Sequence, residues 1–224
     1  MWSLTMVRHW IFPRAPFLKF PPVTMLGWSA MSLGSPSNGP APVLSGSPGF
    51  SKRVLATVLF TDIVDSTATL QRMGNTKWRD ALRTHNTRLR DQLNAYRGRE
   101  VKTTGDGFLA VFDSPTQAVR CAAGMALAAR AMGLPIRVGV HTGEVEFIGS
   151  DARGLAVHVA ARVMSLAGPD EVTISSTTHA LLEGSGLHFE DLGMHELKGL
   201  PGPRQVHRLI TAALGSDDNP VIGS

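Results

Sequence analysis

The chain has 224 residues, 43% apolar, 18% charged and 6% aromatic, with a formal net charge of +4. That is a globular composition, too apolar for a disordered chain, and the single Cys121 excludes a disulfide framework or a cysteine-built metal site. A reducing, cytoplasmic setting is the default. The positive charge is local: residues 1–53 hold Arg8, Arg14, Lys19, Lys52 and Arg53 and no acidic residue, leaving 17 of the 22 Lys and Arg against all 18 Asp and Glu elsewhere. A near-neutral remainder is no footprint for nucleic acid, so no such partner is expected.

Residues 1–53 also hold eight of the fourteen prolines. Pro13, Pro16, Pro21 and Pro22 interrupt the apolar stretch, and Ser35 to Gly49 reads as Ser/Gly/Pro linker. A membrane span needs roughly 20 unbroken apolar residues, and Lys19 with its neighbouring prolines spoils a secretory signal. The expectation is a disordered basic extension over 1–53, with Met25 or Met31 as alternative starts. A Trp-bearing surface anchor that touches membrane is the sharper alternative.

From Val54 to Phe60 a continuous apolar run predicts a central strand covered on both faces. A short helix near 64–73 follows. Trp78, Ala81, Leu82, His85, Leu89, Leu93 and Tyr96 then recur at helical spacing and predict a long amphipathic helix ending by Gly98. Glu100–Thr103 and Phe108–Phe112 form a predicted hairpin, with Gly105-Asp106-Gly107 as its tight turn. Ser114 caps the next helix, with Pro115 in its first turn and Gln117 completing a capping box. Ala118, Ala122, Met125, Ala129 and Met132 form its buried face.

Strand Ile136–His141 is followed by a turn at His141-Thr142-Gly143-Glu144 into Val145-Glu146-Phe147. Then come a helix from Gly154 to Leu166, strand Val172–Ile174, a short helix capped by Ser176, and late strands near 187–190 and 205–209. The order is that of a ferredoxin-like βαββαβ core with additions: α+β, helices on an antiparallel or mixed sheet. His141 has no second His at ligand spacing, so zinc is rejected, and Cys121 on an alanine-rich face reads as an inert core thiol.

Two carboxylates stand out. Asp62 ends the central strand and Asp106 tips the neighbouring hairpin. The two positions can converge at one sheet edge as a hard oxygen site suited to Mg²⁺. The plain alternatives are a helix cap for Asp62 and a turn residue for Asp106.

The surrounding pattern decides between them. Phe60-Thr61-Asp62-Ile63-Val64-Asp65-Ser66-Thr67 resembles the first metal motif of the class III nucleotide cyclases. Lys102-Thr103-Thr104-Gly105-Asp106-Gly107 resembles the second, and Gly154 to Arg162 resembles their catalytic helix. The likeness runs in order from Val54 to Leu209. It implies the nucleotide cyclase fold over 54–210, with 211–224 as a flexible tail.

It also implies roles. Asp62 and Asp106, with the Ile63 carbonyl, match the ligands of two Mg²⁺ or Mn²⁺ ions per active site. Lys102 and Asp151 match the pair that reads adenine. Arg162 matches the arginine that stabilises the transition state, and Lys198 a lysine on the phosphate tail. The family's ribose-contacting asparagine is replaced by His158, one helical turn before Arg162. That change predicts slower turnover or looser ribose positioning. A cation beside a carboxylate complements adenine and mismatches guanine, so the expected activity is adenylate cyclase: ATP to cyclic AMP and pyrophosphate, in intracellular signalling. The resemblance further implies a homodimer with two shared sites, since metal aspartates of one subunit face the adenine and arginine residues of the other. The alternatives are a guanylate cyclase, or a weak or inactive nucleotide-binding module.

Overall fold

The computed structural model describes residues 52–210. Residues 1–51 of the extension expected over 1–53, and the tail expected over 211–224, lie outside the described residues. Eight strands and five helices follow one another as β1 (Lys52–Ile63), α1 (Ser66–Met73), α2 (Asn75–Ala95), β2 (Arg99–Thr104), β3 (Gly107–Phe112), α3 (Pro115–Ala131), β4 (Ile136–Ile148), β5 (Asp151–Arg153), α4 (Leu155–Met164), β6 (Val172–Ser175), α5 (Ser176–Ala180), β7 (Phe189–Glu196) and β8 (Pro203–Leu209). One sheet runs β2-β3-β1-β4-β6-β8-β7, with β5 on the far end of β4. Only β4 and β6 are parallel; the other pairs are antiparallel. The first four strands carry the ferredoxin-like order, so the α+β expectation holds.

Alternation along the strands divides the core. Leu59 and Ile63 of β1, Phe108, Ala110 and Phe112 of β3, and Ile136, Val138 and Val140 of β4 face α2 and α3. Leu89, Leu93, Val119, Ala122 and Met125 of those helices complete a core sealed from water. The intervening positions, Ala56, Val58, Leu109, Val111 and Val145, face α4, which contributes Ala156 and Ala160. Val54, Phe60, Val101 and Phe147 lie at the margin of that second cluster, only partly buried.

Three expectations are corrected. β4 is one strand of thirteen residues, with no turn at His141–Glu144. It pairs with β1 from Ile63↔Ile136 to Lys52↔Phe147, and that long partner carries it through. Its glycines serve close packing: a Cβ on Gly139 would lie 2.3 Å from the Met164 nitrogen, and one on Gly143 3.0 Å from the Ala156 Cβ. The cap of α5 is Ser175, whose side chain accepts from the Thr178 N–H, so Ser176 is the first helical residue. And β1 begins at Lys52, so Lys52 and Arg53 belong to the sheet. Ser114 caps α3 as predicted, accepting from the Gln117 N–H at 3.4 Å.

Candidate active site

Register places the acidic pair. Thr61 of β1 pairs with Phe108 of β3, and the Thr61 hydroxyl accepts from the Phe108 N–H at 3.1 Å. Asp62 is therefore level with the hairpin turn that bears Asp106. Burial raises the Asp62 carboxyl above the ordinary carboxylate range, hydrogen bonds from Arg137 pull it down, and the Asp106 charge pushes it up. The two carboxylates feel each other's charge. Asp62 caps no helix: α1 starts after Asp65, which stands at φ 52° and makes no side-chain cap.

Arg137 is the residue that sequence reasoning missed. It pairs with Asp62 across β1 and β4, and its Nε and Nη2 donate to Asp62 Oδ2 at 3.0 and 2.6 Å. Its signal is positional only. Arg137 lies two residues before Gly139, and the strand pairing that sets it against Asp62 is not legible from one sequence.

The second group is Lys102 with Asp151. Lys102 pairs with Leu109, and Leu109 with Phe60, so Lys102, Leu109 and Phe60 form one row across the face that carries Asp62. Lys102 Nζ donates to Asp151 Oδ1 at 3.0 Å, although 49 residues separate them. Arg153 Nε donates to the other oxygen at 3.3 Å. These bonds, Lys102's first, hold the Asp151 carboxyl below its usual range. Asp151 sits on β5 opposite Ile148, so a three-residue strand fixes a position that sequence leaves in a loop.

The third group lies on α4. Arg162 Nε donates to the Lys198 carbonyl at 3.0 Å, tying the helix to the β7–β8 connection. The Lys198 side chain itself is exposed. His158, one turn before Arg162, is exposed on the same helix. The structure thus sets Asp62 within electrostatic reach of Asp106, joins Lys102 to Asp151 and ties Arg162 to the Lys198 backbone, with His158 one turn from Arg162, while Ile63 ends β1 with its side chain in the core. Among the described residues, no group of three or more His, Cys, Asp or Glu gathers as a metal site. The carboxylates of Asp62 and Asp106 are hard oxygen donors, the kind that hard divalent cations take.

The comparisons with known proteins identify the family. The family model described as the adenylate and guanylate cyclase catalytic domain matches residues 52–211. The chain belongs to that family. A Rhizobium meliloti protein that carries an adenylate cyclase name is 35% identical over 168 residues, covering 68% of this chain and 27% of its own length. The chain thus spans about a quarter of that longer relative. Among solved structures, the adenylyl cyclase CyaB of P. aeruginosa superposes with a TM-score of 0.66 at 23% identity, covering 71% of this chain and 95% of that one. The adenylate/guanylate cyclase/hydrolase of Silicibacter pomeroyi gives 0.65 at 26%, covering 71% and 98%. Guanylyl cyclases share the fold as well. The described residues of this cyclase domain include no helix long and apolar enough to cross a membrane.

Proposed function

We propose that this nucleotide cyclase domain is an adenylate cyclase that converts ATP to 3′,5′-cyclic AMP and pyrophosphate for intracellular signalling. The observation that carries the choice of base is the Lys102–Asp151 ion pair at 3.0 Å, on the sheet face that bears Asp62. Adenine offers an acceptor at N1 and a donor at its amino group. The ammonium of Lys102 answers the first and the carboxylate of Asp151 the second. Guanine presents the opposite polarity and leaves both charges facing like partners, which a site of this kind rejects strongly.

Asp62, Asp106 and the Ile63 carbonyl would hold Mg²⁺ or Mn²⁺, two per site. Ions bound there supply Lewis acidity that lowers the pKa of the ribose 3′-hydroxyl and neutralises triphosphate charge. Arg162 presents a fixed fork of donors to the charge that grows as the 3′-oxygen bonds to the α-phosphorus and the α–β bridge breaks. Arg137 stands beside Asp62 with guanidinium N–H groups to spare for phosphate oxygens. Lys198 would neutralise the departing pyrophosphate. The 3′-hydroxyl proton leaves to solvent, so no side chain is assigned as base.

The active unit would be a twofold homodimer with two shared sites. The partly exposed Val54, Phe60, Val101 and Phe147 at the margin of the α4 face, together with exposed Leu155, supply apolar surface for a second copy. The test is incubation with ATP or GTP and Mg²⁺ or Mn²⁺, with products read by chromatography and Asp106→Ala as control. Cyclic AMP from ATP is expected. Cyclic GMP as the main product overturns the base assignment, and no product with any divalent ion leaves a binding module. Specific activity should fall on dilution into the monomer range; a constant value there refutes the shared site.

A further inference from the structure

Asp151 is held by a second cation that the proposed chemistry does not use. β5 is short but pinned: Ala152 at its centre is buried in the cluster that α4 closes, and its ends pair with β4 as Ile148↔Asp151 and Glu146↔Arg153. Asp151 and Arg153 are two apart on a strand, so their side chains leave it on the same side. There Arg153 Nε donates to Asp151 Oδ2 at 3.3 Å. Arg153 lies in none of the three motifs that mark the family, and the base, metal and phosphate roles above give it no part.

A count of lone pairs shows what that bond does. An ionised carboxylate offers two on each oxygen. Oδ1 uses both: Lys102 Nζ donates to it at 3.0 Å and the Ala152 N–H at 3.1 Å. Oδ2 accepts from Arg153 Nε alone among the described residues, which leaves it one lone pair. The aspartate χ2 torsion is soft, and bonds to a single oxygen leave the other free to swing. A donor on the second oxygen removes that rotation and gives the spare lone pair a fixed direction. Lys102 first, then Arg153, also hold the carboxyl below its usual range, so it carries no proton and can only accept.

We propose that Arg153 is a positioning residue for base selection, anchoring Oδ2 of Asp151 so that its remaining lone pair is presented to the 6-amino group of adenine. This rests on the base-reading role given to Asp151 above. The amino group brings the hydrogen that this lone pair lacks. The carbonyl oxygen that guanine has at the same ring position brings none, and it meets an acceptor that is not free to turn away. Arg153 acts through Asp151 and touches no part of the base. Its side chain is 62% exposed, and an ion pair so open to water adds little to stability. The bond therefore matters for where Asp151 points, and its removal should leave the fold intact.

The test titrates the full chain, with Mn²⁺, by isothermal titration calorimetry. One ligand is 3′-deoxy-ATP, which cannot cyclise; the other is the same nucleotide without its 6-amino group. The ratio of the two affinities isolates the amino contact, whereas a merely structural role shifts both alike. Wild type should favour the amino form about 10- to 100-fold, the worth of one hydrogen bond to a charged group. Arg153→Ala should cut that ratio about tenfold, through weaker binding of the amino form alone. Arg153→Gln carries its amide nitrogen at the chain position of Nε, so it keeps the donor without the charge and should stay near wild type. A wild-type ratio in Arg153→Ala, or a fall in Arg153→Gln equal to that in Arg153→Ala, overturns the positioning role. Asp151→Ala separates the two levels and should bring the ratio close to one. If it keeps the wild-type ratio, or if wild type binds both nucleotides equally, the base assignment itself fails and this inference with it.

Discussion

The two faces of the sheet are made from alternate residues of the same strands, yet they are finished differently. Along β1, Leu59 and Ile63 disappear beneath α2 and α3, while Phe60 and Asp62 turn to the side that α4 only partly covers. The sealed face is almost wholly aliphatic and aromatic. The open face gathers Asp62 with Arg137, Lys102 with Asp151, and Arg99 4.2 Å above the Phe147 ring. Charges at these positions would be prohibitive under a closed layer of helices. The sealed face therefore supplies the stability that lets the open face carry charge within reach of water, and mutations on the two faces should separate stability from activity.

The largest effect belongs to the open face. Asp106→Ala should lower cyclase turnover by at least about 10³-fold, since each such loss corresponds to roughly 4 kcal/mol of transition-state stabilisation. Its melting temperature should hold. A comparable loss of stability would mean that Asp106 serves the hairpin and not the chemistry.

Next comes base preference. Exchanging the ion pair as Lys102→Glu with Asp151→Lys keeps the attraction and reverses the polarity offered to the base. The ratio of kcat/KM for ATP over GTP should fall about 100-fold, within the range for reversed buried hydrogen-bond partners. An unchanged ratio would remove both residues from base reading.

The sealed face gives the mirror outcome. Leu89 is fully buried between α2 and the sheet. Leu89→Ala should cost about 2–5 kcal/mol of stability by cavity formation, read by denaturant unfolding, with KM for the nucleotide unchanged below the transition.

How much of this was legible follows the same division. The sealed face announces itself, because it needs apolar periodicity and local signals: the run at Val54–Phe60, the Asp-Gly turn, the Ser114 cap. The open face depends on register. Thr61↔Phe108 and Asp62↔Arg137 are set by tertiary pairing, so motif spacing singles out Asp62 and Asp106 as candidates and nothing in the sequence singles out Arg137. Gly143 looked like a turn because a glycine that clears a helix and one that bends a chain are the same letter. β5 is three residues long, too short for any period to show. His85 is legible as a buried position of α2 from its spacing alone.

His141 tests how far the polar network on the α4 side tolerates charge. Its Nδ1 lies 2.7 Å from Ser175 Oγ, and Ser175 links through Thr178 to Thr142. Burial, with the Arg204 charge behind it, pushes the imidazole from 6.5 down to about 4. A lowered histidine pKa means that the unfolded chain binds a proton first on acidification. Stability should be flat above about pH 6.5 and fall between pH 6.5 and 4 by on the order of 3 kcal/mol. Urea titrations across that range should show the slope in wild type and its loss in His141→Gln. Parallel slopes would assign the acid sensitivity elsewhere.

The smallest expected effect is at His158. A neutral imidazole offers one donor and one acceptor, whereas an asparagine amide offers two donors and an oxygen with two lone pairs. His158 and Arg162 are four apart on α4, so their side chains share a face, and His158 is exposed where a ribose bound beside Arg162 could reach it. His158→Asn should raise kcat a few-fold, the scale of one ordinary hydrogen bond. Steady-state rates of the two proteins at saturating ATP carry the readout. Equal rates would take His158 out of the chemistry, and the open face would then carry it through Asp62, Asp106, Lys102, Asp151 and Arg162 without it.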